Sequence, residues 1–236
     1  MCYAVSNQLS LDFLSKKLRR PIKNDIGEYK QEYVVKGFVK KGMPQPLLPV
    51  ISNENPAEIT LYSWKLIPHF VAAGEVYKAN TLNARNDTLF ELGSYRNYWQ
   101  NRCLIMVSGF WEPHYEVGKK TYESYYIRPS NDDFFYLGGI YSINNGLHTC
   151  TIITTSGSPR LTWVHNDPSD PGRHPLILSP DLAKEWVTEK FDRSRMAEMM
   201  LNSFPDEKLE AFRTIDGVYS SNVDTNRIEA TLRYQE

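Results

Sequence analysis

The sequence predicts an α+β fold, a single β-rich domain spanning residues 1–236 with helices at its periphery. Three observations carry that prediction. β-Branched and aromatic runs dominate the middle of the chain, helical periodicities are confined to residues 9–18 and the stretch beyond residue 180, and strands and helices do not alternate as βαβ units require. No repeat, low-complexity tract or linker divides the chain, and 236 residues fit one large domain.

The elements follow in order. Behind Met1 and Cys2 comes a short apolar run, Tyr3-Ala4-Val5. Leu11, Phe13, Leu14 and Leu18 give the Leu9–Leu18 stretch a helical spacing, which runs into the basic cluster Lys16-Lys17-Leu18-Arg19-Arg20 and stops at Pro21. That cluster reads first as a solvated helix end. Tyr33-Val34-Val35 reads as a strand, and Gly42-Met43-Pro44-Gln45-Pro46 as a rigid loop entering a short strand, Leu47-Leu48-Pro49-Val50-Ile51, where proline is expected to prevent regular pairing. Leu61–Ile67 and Arg102–Val107 read as strands, Tyr122–Arg128 and Phe134–Tyr141 alternate, and Thr149–Thr155 is a β-branched run. Asp181–Glu189 and Arg193–Leu201 are the clearest helices, with Ser179-Pro180 and Asp192 as their starts.

Composition narrows the classes. Hydrophobic residues make up 41% and charged residues 23%, the ordinary range for a soluble globular protein, while fifteen Tyr, ten Phe and five Trp suit strands and stacking surfaces. Cysteines at 2, 103 and 150 form no CxxC spacing and no paired framework, so neither a disulfide scaffold nor a thiolate metal site is implied and no metal or cofactor is expected. A reducing compartment is the simplest reading. With no basic stretch leading an apolar core at the N-terminus and no apolar run long enough to span a bilayer, a cytoplasmic, membrane-free protein is expected, with a monomer as the simplest state. A net charge of −1 argues against a globally basic nucleic-acid binder, although phosphate contacts need only a local patch.

The chemistry begins at Cys2. Cysteine is small enough for the initiator Met1 to be trimmed, which would leave one residue carrying both a free α-amine and a β-thiol. An α-amine titrates near about 7.7–8.0 and a thiol near about 8.5, so both are usable nucleophiles near neutral pH. Together they can trap an aldehyde as an imine that closes to a five-membered thiazolidine. A retained Met1 would block the amine and leave a thiol that adds to aldehydes only reversibly.

Four later segments read jointly with Cys2: Trp64-Lys65-Leu66-Ile67-Pro68, Asn83-Ala84-Arg85-Asn86-Asp87-Thr88, Arg102-Cys103-Leu104 through Gly109-Phe110-Trp111-Glu112, and Val164-His165 followed by Arg173-His174-Pro175. Their order and content resemble the SOS-response-associated peptidase (SRAP) family, whose patterns are an N-terminal Met-Cys, Trp-Gly-Leu-Ile-Pro, Asn-Ala-Arg-x-Glu, Arg-Cys-Leu before Gly-Phe-Tyr-Glu-Trp, and His-x-x-Arg-Met-Pro. The resemblance covers nearly the whole chain. It implies a protein that recognises abasic sites in single-stranded DNA and joins the sugar aldehyde to Cys2 as a thiazolidine, with AP-lyase and autopeptidase activities alongside. In that frame Asn83 would hold the cysteine or the opened sugar, Glu112 would move protons near the α-amine, and His165 would serve the sugar oxygen. Arg85 and Arg173 would grip flanking phosphates, while Trp64, Leu66 and the loop near Pro49 would stack on or wedge against neighbouring bases.

Each residue taken alone has a plainer reading: Cys2 as a small buried hydrophobe, Asn83 as a cap or turn, Glu112 as a surface carboxylate, His165 as a loop histidine and Trp64 as a core anchor. Their joint occurrence favours the active-site reading. The chain departs from the family pattern at Lys65 for Gly, Asp87 for Glu, Pro113 for Trp and His174 for Met, and the 166–172 segment lengthens the gap before Arg173. That insertion puts the reach of Arg173 in question. His174 is a rival for the histidine role, although its place before Pro175 matches the family's Met. Two other classes remain: an N-terminal-nucleophile amidohydrolase or glutaminase using the same Cys2, and a noncatalytic single-stranded DNA-binding module.

Overall fold

The structure, a computed structural model, describes residues 2–23, 34–37, 45–116, 121–167, 172–202 and 204–214. β1 (Ala4–Ser6) is followed by α1 (Leu11–Leu18), β2 (Val34–Lys36), β3 (Leu47–Ser52), β4 (Thr60–Trp64), β5 (Asn83–Arg85), β6 (Arg102–Val107), β7 (Gly109–Tyr115), β8 (Tyr122–Pro129), β9 (Phe135–Asn144) and β10 (Leu147–Thr155). Then come α2 (Pro159–Val164), β11 (His174–Pro175), β12 (Ile177–Leu178), α3 (Pro180–Thr188), α4 (Arg193–Met200), a 3-10 turn (Asp206–Lys208) and β13 (Leu209–Arg213). The α+β, strand-dominated expectation holds.

The four α-helices of the described residues start on side-chain caps. Ser10, Ser158, Ser179 and Asp192 each accept a hydrogen bond from the backbone N–H three residues on, satisfying a donor the helix leaves open. Pro159 and Pro180 follow two of these caps, where a missing N–H costs nothing.

Five strands close into a ring. β10 runs parallel to β4, and antiparallel pairings lead on through β3, β6 and β9 back to β10, so the ring has no open edge. Gly139 lies where β9 faces both Cys103 of β6 and Ile152 of β10, and a Cβ there would come 2.6 Å from the Thr151 carbonyl oxygen. The ring's residues alternate between two buried clusters. Cys103, Ile105 and Val107 of β6 join one, inside the ring, whereas Leu104 and Met106 join the other, outside it with Leu14, Trp186 and Met196 of the helices. Burial on both faces explains why these strands read as apolar runs.

A second sheet, ordered β13-β8-β7-β1-β2, packs Val5, Phe110 and Ile127 into the inner cluster. The junction between this sheet and the ring is where Cys2 lies. Among the described residues no helix is long and apolar enough to cross a membrane.

Several elements differ from the sequence expectation. Leu47–Ser52 is a regular strand despite Pro49, which faces Leu61 of β4, while pairing with β6 begins only at Val50. With one neighbour at that position, the missing N–H need not break a ladder. Tyr33 and residues 42–44 lie outside the described residues. β4 ends at Trp64 rather than Ile67, because Lys65 adopts φ 150°, a region that favours glycine.

That conformation sets up a test. Lys65→Gly and Lys65→Ala both lose the hydrogen bond from Lys65 Nζ to the Tyr77 carbonyl at 2.8 Å, but only glycine relieves the backbone. The glycine variant is expected to be the more stable by about 1–2 kcal/mol in chemical unfolding, the reverse of the usual order, in which Ala exceeds Gly by about 0.4–1 kcal/mol.

Candidate active site

Cys2 lies two residues before the start of β1, whose register on β7 sets Ala4 opposite Trp111 and Val5 opposite Phe110. That pairing brings the start of the chain alongside Glu112. Cys2 is fully buried, and its Sγ donates to the Ala4 carbonyl at 3.6 Å. Burial first, and the Glu112 charge second, raise the thiol well above its ordinary range, so the neutral thiol is the resting form.

Asn83 reaches Cys2 from the ring. β5 runs parallel to β10 with Asn83 opposite Ile152, and the Tyr95 hydroxyl donates to the Asn83 carbonyl at 2.9 Å. Asn83 Nδ2 donates to the Cys2 carbonyl at 2.8 Å. Its Oδ1 is buried with no hydrogen-bond partner among the described residues, leaving one acceptor for an incoming N–H or O–H.

Glu112 sits on β7 opposite Tyr125 of β8 and is 1% exposed. His165 is the C-cap of α2, buried, with its Nδ1 2.5 Å from the Arg173 carbonyl oxygen. A carbonyl can only accept, so Nδ1 carries a proton and Nε2 is the nitrogen at which the ring exchanges one. The end of α2 is tied to β7 by two further contacts. Asn166 Oδ1 accepts from the Tyr115 N–H at 2.7 Å while its Nδ2 donates to the Tyr115 carbonyl at 2.8 Å, and His114 Nδ1 donates to the Trp163 carbonyl at 2.9 Å. His165 is thereby held beside the strand that carries Glu112.

His174 does not compete. Its Nδ1 donates to the Pro175 carbonyl at 2.9 Å and its Nε2 accepts from the Ser158 N–H at 3.4 Å, so both ring nitrogens serve the fold. Burial lowers its pKa and keeps it neutral. Residues 168–171 of the insertion lie outside the described residues, but the Gly172 N–H donates to the His165 carbonyl at 2.8 Å and ties the segment's far end to the histidine.

The expected base-contacting residues are corrected. Trp64, Leu66 and Pro49 are buried, so none is available to stack on or wedge against a base. Trp64 and Leu66 instead support the approach to Asn83. Trp64 Nε1 donates to the Leu82 carbonyl at 2.9 Å, and Thr81 Oγ1 donates to the Leu66 carbonyl at 2.6 Å. The plainer core-anchor reading of Trp64 was the right one.

The two arginines are also more engaged than expected. Arg173 is 6% exposed, its guanidinium donating to Asn86 Oδ1 at 2.8 Å and the Thr154 carbonyl at 2.6 Å, with Asp87 3.6 Å away. Arg85 is exposed but forks onto Asp87, at 3.1 Å from Nε and 2.8 Å from a terminal nitrogen. A phosphate would compete with that carboxylate for Arg85. Sequence reasoning missed Asn166, His114 and Trp163, for which the only signal was adjacency to His165 and Glu112.

Comparison with known proteins finds relatives in sequence and in fold. The protein is 28% identical over 193 residues to the abasic site processing protein YoqW of Bacillus subtilis, covering 79% of this chain and 80% of that one. It is 28% identical over 174 residues to the abasic site processing protein YMR114C of Saccharomyces cerevisiae, covering 68% of this chain and 44% of the yeast protein. A crystal structure of a Bacteroides thetaiotaomicron protein superposes with a TM-score of 0.84 at 24% identity, over 99% of this chain and 100% of that one, and shows the same fold. The sequence profile of the SOS response associated peptidase (SRAP) family matches residues 1–221, and the chain belongs to that family.

Proposed function

We propose that this protein captures abasic sites in single-stranded DNA through Cys2, forming a thiazolidine with the opened sugar. The observation that carries the reading is the buried contact of Cys2 with Asn83 at 2.8 Å beside Glu112, at the junction of the two sheets. The names of the relatives, abasic site processing proteins from bacteria and yeast, support it.

The chemistry balances in three steps once Met1 is gone. Removal of Met1, which the same reading assigns to autopeptidase action, hydrolyses the Met1–Cys2 peptide bond with one water, releases methionine and frees the α-amine. In the lesion, the C1′ hydroxyl loses its proton and the ring oxygen gains one as the sugar opens to the aldehyde, a transfer suited to His165 Nε2. The amine nitrogen adds to the aldehyde carbon, and the carbinolamine loses its hydroxyl as water, leaving the imine. Glu112 carries the protons between nitrogen and departing oxygen. The Cys2 sulfur then adds to the imine carbon while the thiol proton passes to nitrogen, so aldehyde and aminothiol become thiazolidine and one water. Asn83 Oδ1 accepts from the amine or from a sugar hydroxyl throughout. From the imine, removal of a C2′ proton by a base forms a C2′–C3′ double bond as the C3′–O bond breaks and the 3′ phosphate leaves, which gives the AP-lyase activity of the same reading.

The deciding experiment incubates Met1-processed protein with single-stranded DNA containing one abasic site and measures intact mass and denaturing-gel mobility, beside Cys2→Ala. A denaturation-stable adduct heavier by the DNA minus one water, absent from Cys2→Ala, is expected. No adduct from processed protein sinks the capture reading, and glutamine hydrolysis without DNA binding would install the amidohydrolase in its place.

A further inference from the structure

Trp163 is 56% exposed, an unusual position for the largest apolar side chain, and its ring is not loose. His114 lies 4.5 Å away between ring centroids at an interplanar angle of 32°, and Tyr125 meets the same indole edge-on at 5.4 Å and 90°. His114 is itself held, with Nδ1 donating to the Trp163 carbonyl at 2.9 Å, and Tyr125 packs against it at 5.5 Å. Three rings thus form a fixed platform, backed by β7 and β8 and capped by the last turn of α2, with more than half of the indole open.

Its place in the fold matters more than its exposure. His114 is two residues beyond Glu112 on β7, and Trp163 is two residues before His165 on α2. Two residues along a strand span about 7 Å. Tyr125 is directly opposite Glu112 and packs against the inner cluster that holds Cys2. The platform is therefore continuous with the candidate active site and begins about one nucleotide's width from it.

We propose that Trp163, backed by His114 and Tyr125, stacks a nucleobase flanking the captured abasic residue. The inference rests on the abasic-capture reading above and names a contact that Trp64, Leu66 and Pro49 cannot supply. Size favours a base over a protein partner. A stable protein interface takes roughly 800 Å² from each side, whereas a tryptophan offers about 150–250 Å² in all, enough for one planar heterocycle. Loss of the base at the lesion leaves its neighbours without a stacking partner on that side, and an aromatic ring can take that place for any base sequence. The indole already packs against His114 and Tyr125, so part of its side-chain freedom is spent before a base binds.

The test separates binding from capture by using single-stranded oligonucleotides in which a tetrahydrofuran residue, unable to open to an aldehyde, replaces the abasic sugar. One set keeps adenine on both sides of that residue, and the other carries tetrahydrofuran there as well. Wild-type protein is expected to bind the adenine-flanked set about 5- to 100-fold more tightly, the range seen when one stacking ring is removed. Trp163→Ala should lose that preference, and Trp163→Phe should keep most of it, at unchanged unfolding temperature. Equal affinity of wild type and Trp163→Ala for the adenine-flanked DNA overturns the platform. Adduct formation on authentic abasic DNA, run in parallel, distinguishes the two ideas. Adducts together with equal DNA affinity of wild type and Trp163→Ala overturn the platform alone, Trp163-dependent binding without any adduct supports the platform and overturns capture, and no binding to either set overturns both.

Discussion

Glu112→Gln is expected to slow adduct formation by about 10²–10⁴-fold, the usual contribution of a positioned acid–base group. The substitution keeps the shape of a side chain that is 1% exposed and removes both its ability to carry a proton and its charge. A rival outcome has the opposite sign. The Glu112 charge is one cause of the raised Cys2 thiol pKa, so the neutral amide lets that pKa fall and enlarges the thiolate fraction. If thiolate attack limited the rate, the variant would be faster. Single-turnover gels of Met1-processed protein at matched pH separate the two, and an unchanged rate would make Glu112 a structural carboxylate. The pH profile carries a second sign. Below an α-amine pKa of about 7.7–8.0 the nucleophile is protonated, so wild-type capture should fall from pH 8 towards pH 5. A flat profile from pH 5 to 9 would count against an amine nucleophile.

Arg102→Ala is expected to cost about 3–5 kcal/mol, from two charge-assisted hydrogen bonds of about 1.5–3 kcal/mol each and a cation–π contact. Arg102 is buried at the start of β6, with Nε donating to the Trp186 carbonyl at 2.9 Å, a terminal nitrogen donating to the Glu189 carbonyl at 2.5 Å, and the guanidinium 4.2 Å over the Phe191 ring. It thus satisfies the carbonyls that α3 leaves open at its C-terminus, where positive charge is favoured. Trp186 Nε1 returns a bond to the Cys103 carbonyl at 3.0 Å, so helix and ring are joined at adjacent residues. A melting temperature lower by roughly 10 °C is the readout for a chain of this size. Arg102→Lys should recover less than half, because an ammonium cannot fork onto two carbonyls. A variant that melts within 2 °C of wild type would show that α3 is held by its apolar face alone.

Arg102 also shows why a motif can be legible while its purpose is not. Arg-Cys-Leu stands out in the sequence beside candidate catalytic residues, yet it anchors a helix some eighty residues away in the chain. Trp64 is a parallel case. The Trp-x-Leu-Ile-Pro segment was matched correctly, but the base-stacking role attached to it fails because the indole is buried and donates to Leu82, next to Asn83. Both residues serve the fold through partners that sequence order gives no sign of. Pro49 was misread for a different reason. A proline's cost depends on whether a strand lies on its N–H side, a fact of sheet topology that local pattern cannot express.

Residue type and period were enough for the elements. Ser179 and Asp192 announced two helix starts, and the β-branched and apolar runs at 102–107 and 149–155 announced strands, because capping and strand preference act within a few residues. The sequence also determined, by its ordered motifs, the family, and it nominated a short set of candidate residues led by Cys2. What only the tertiary structure decided is how those residues meet. The pairing of β1 with β7 and of β5 with β10 brings Cys2 to one junction with Asn83 and Glu112, both more than 80 residues away in the chain, and the carbonyl partners of His165 and His174 assign which nitrogen of each ring carries its proton. These are long-range contacts, formed by closing the ring and packing a second sheet on it. A proton's position on a ring, or the burial of a tryptophan, is a property of neighbours that the chain brings together only when it folds.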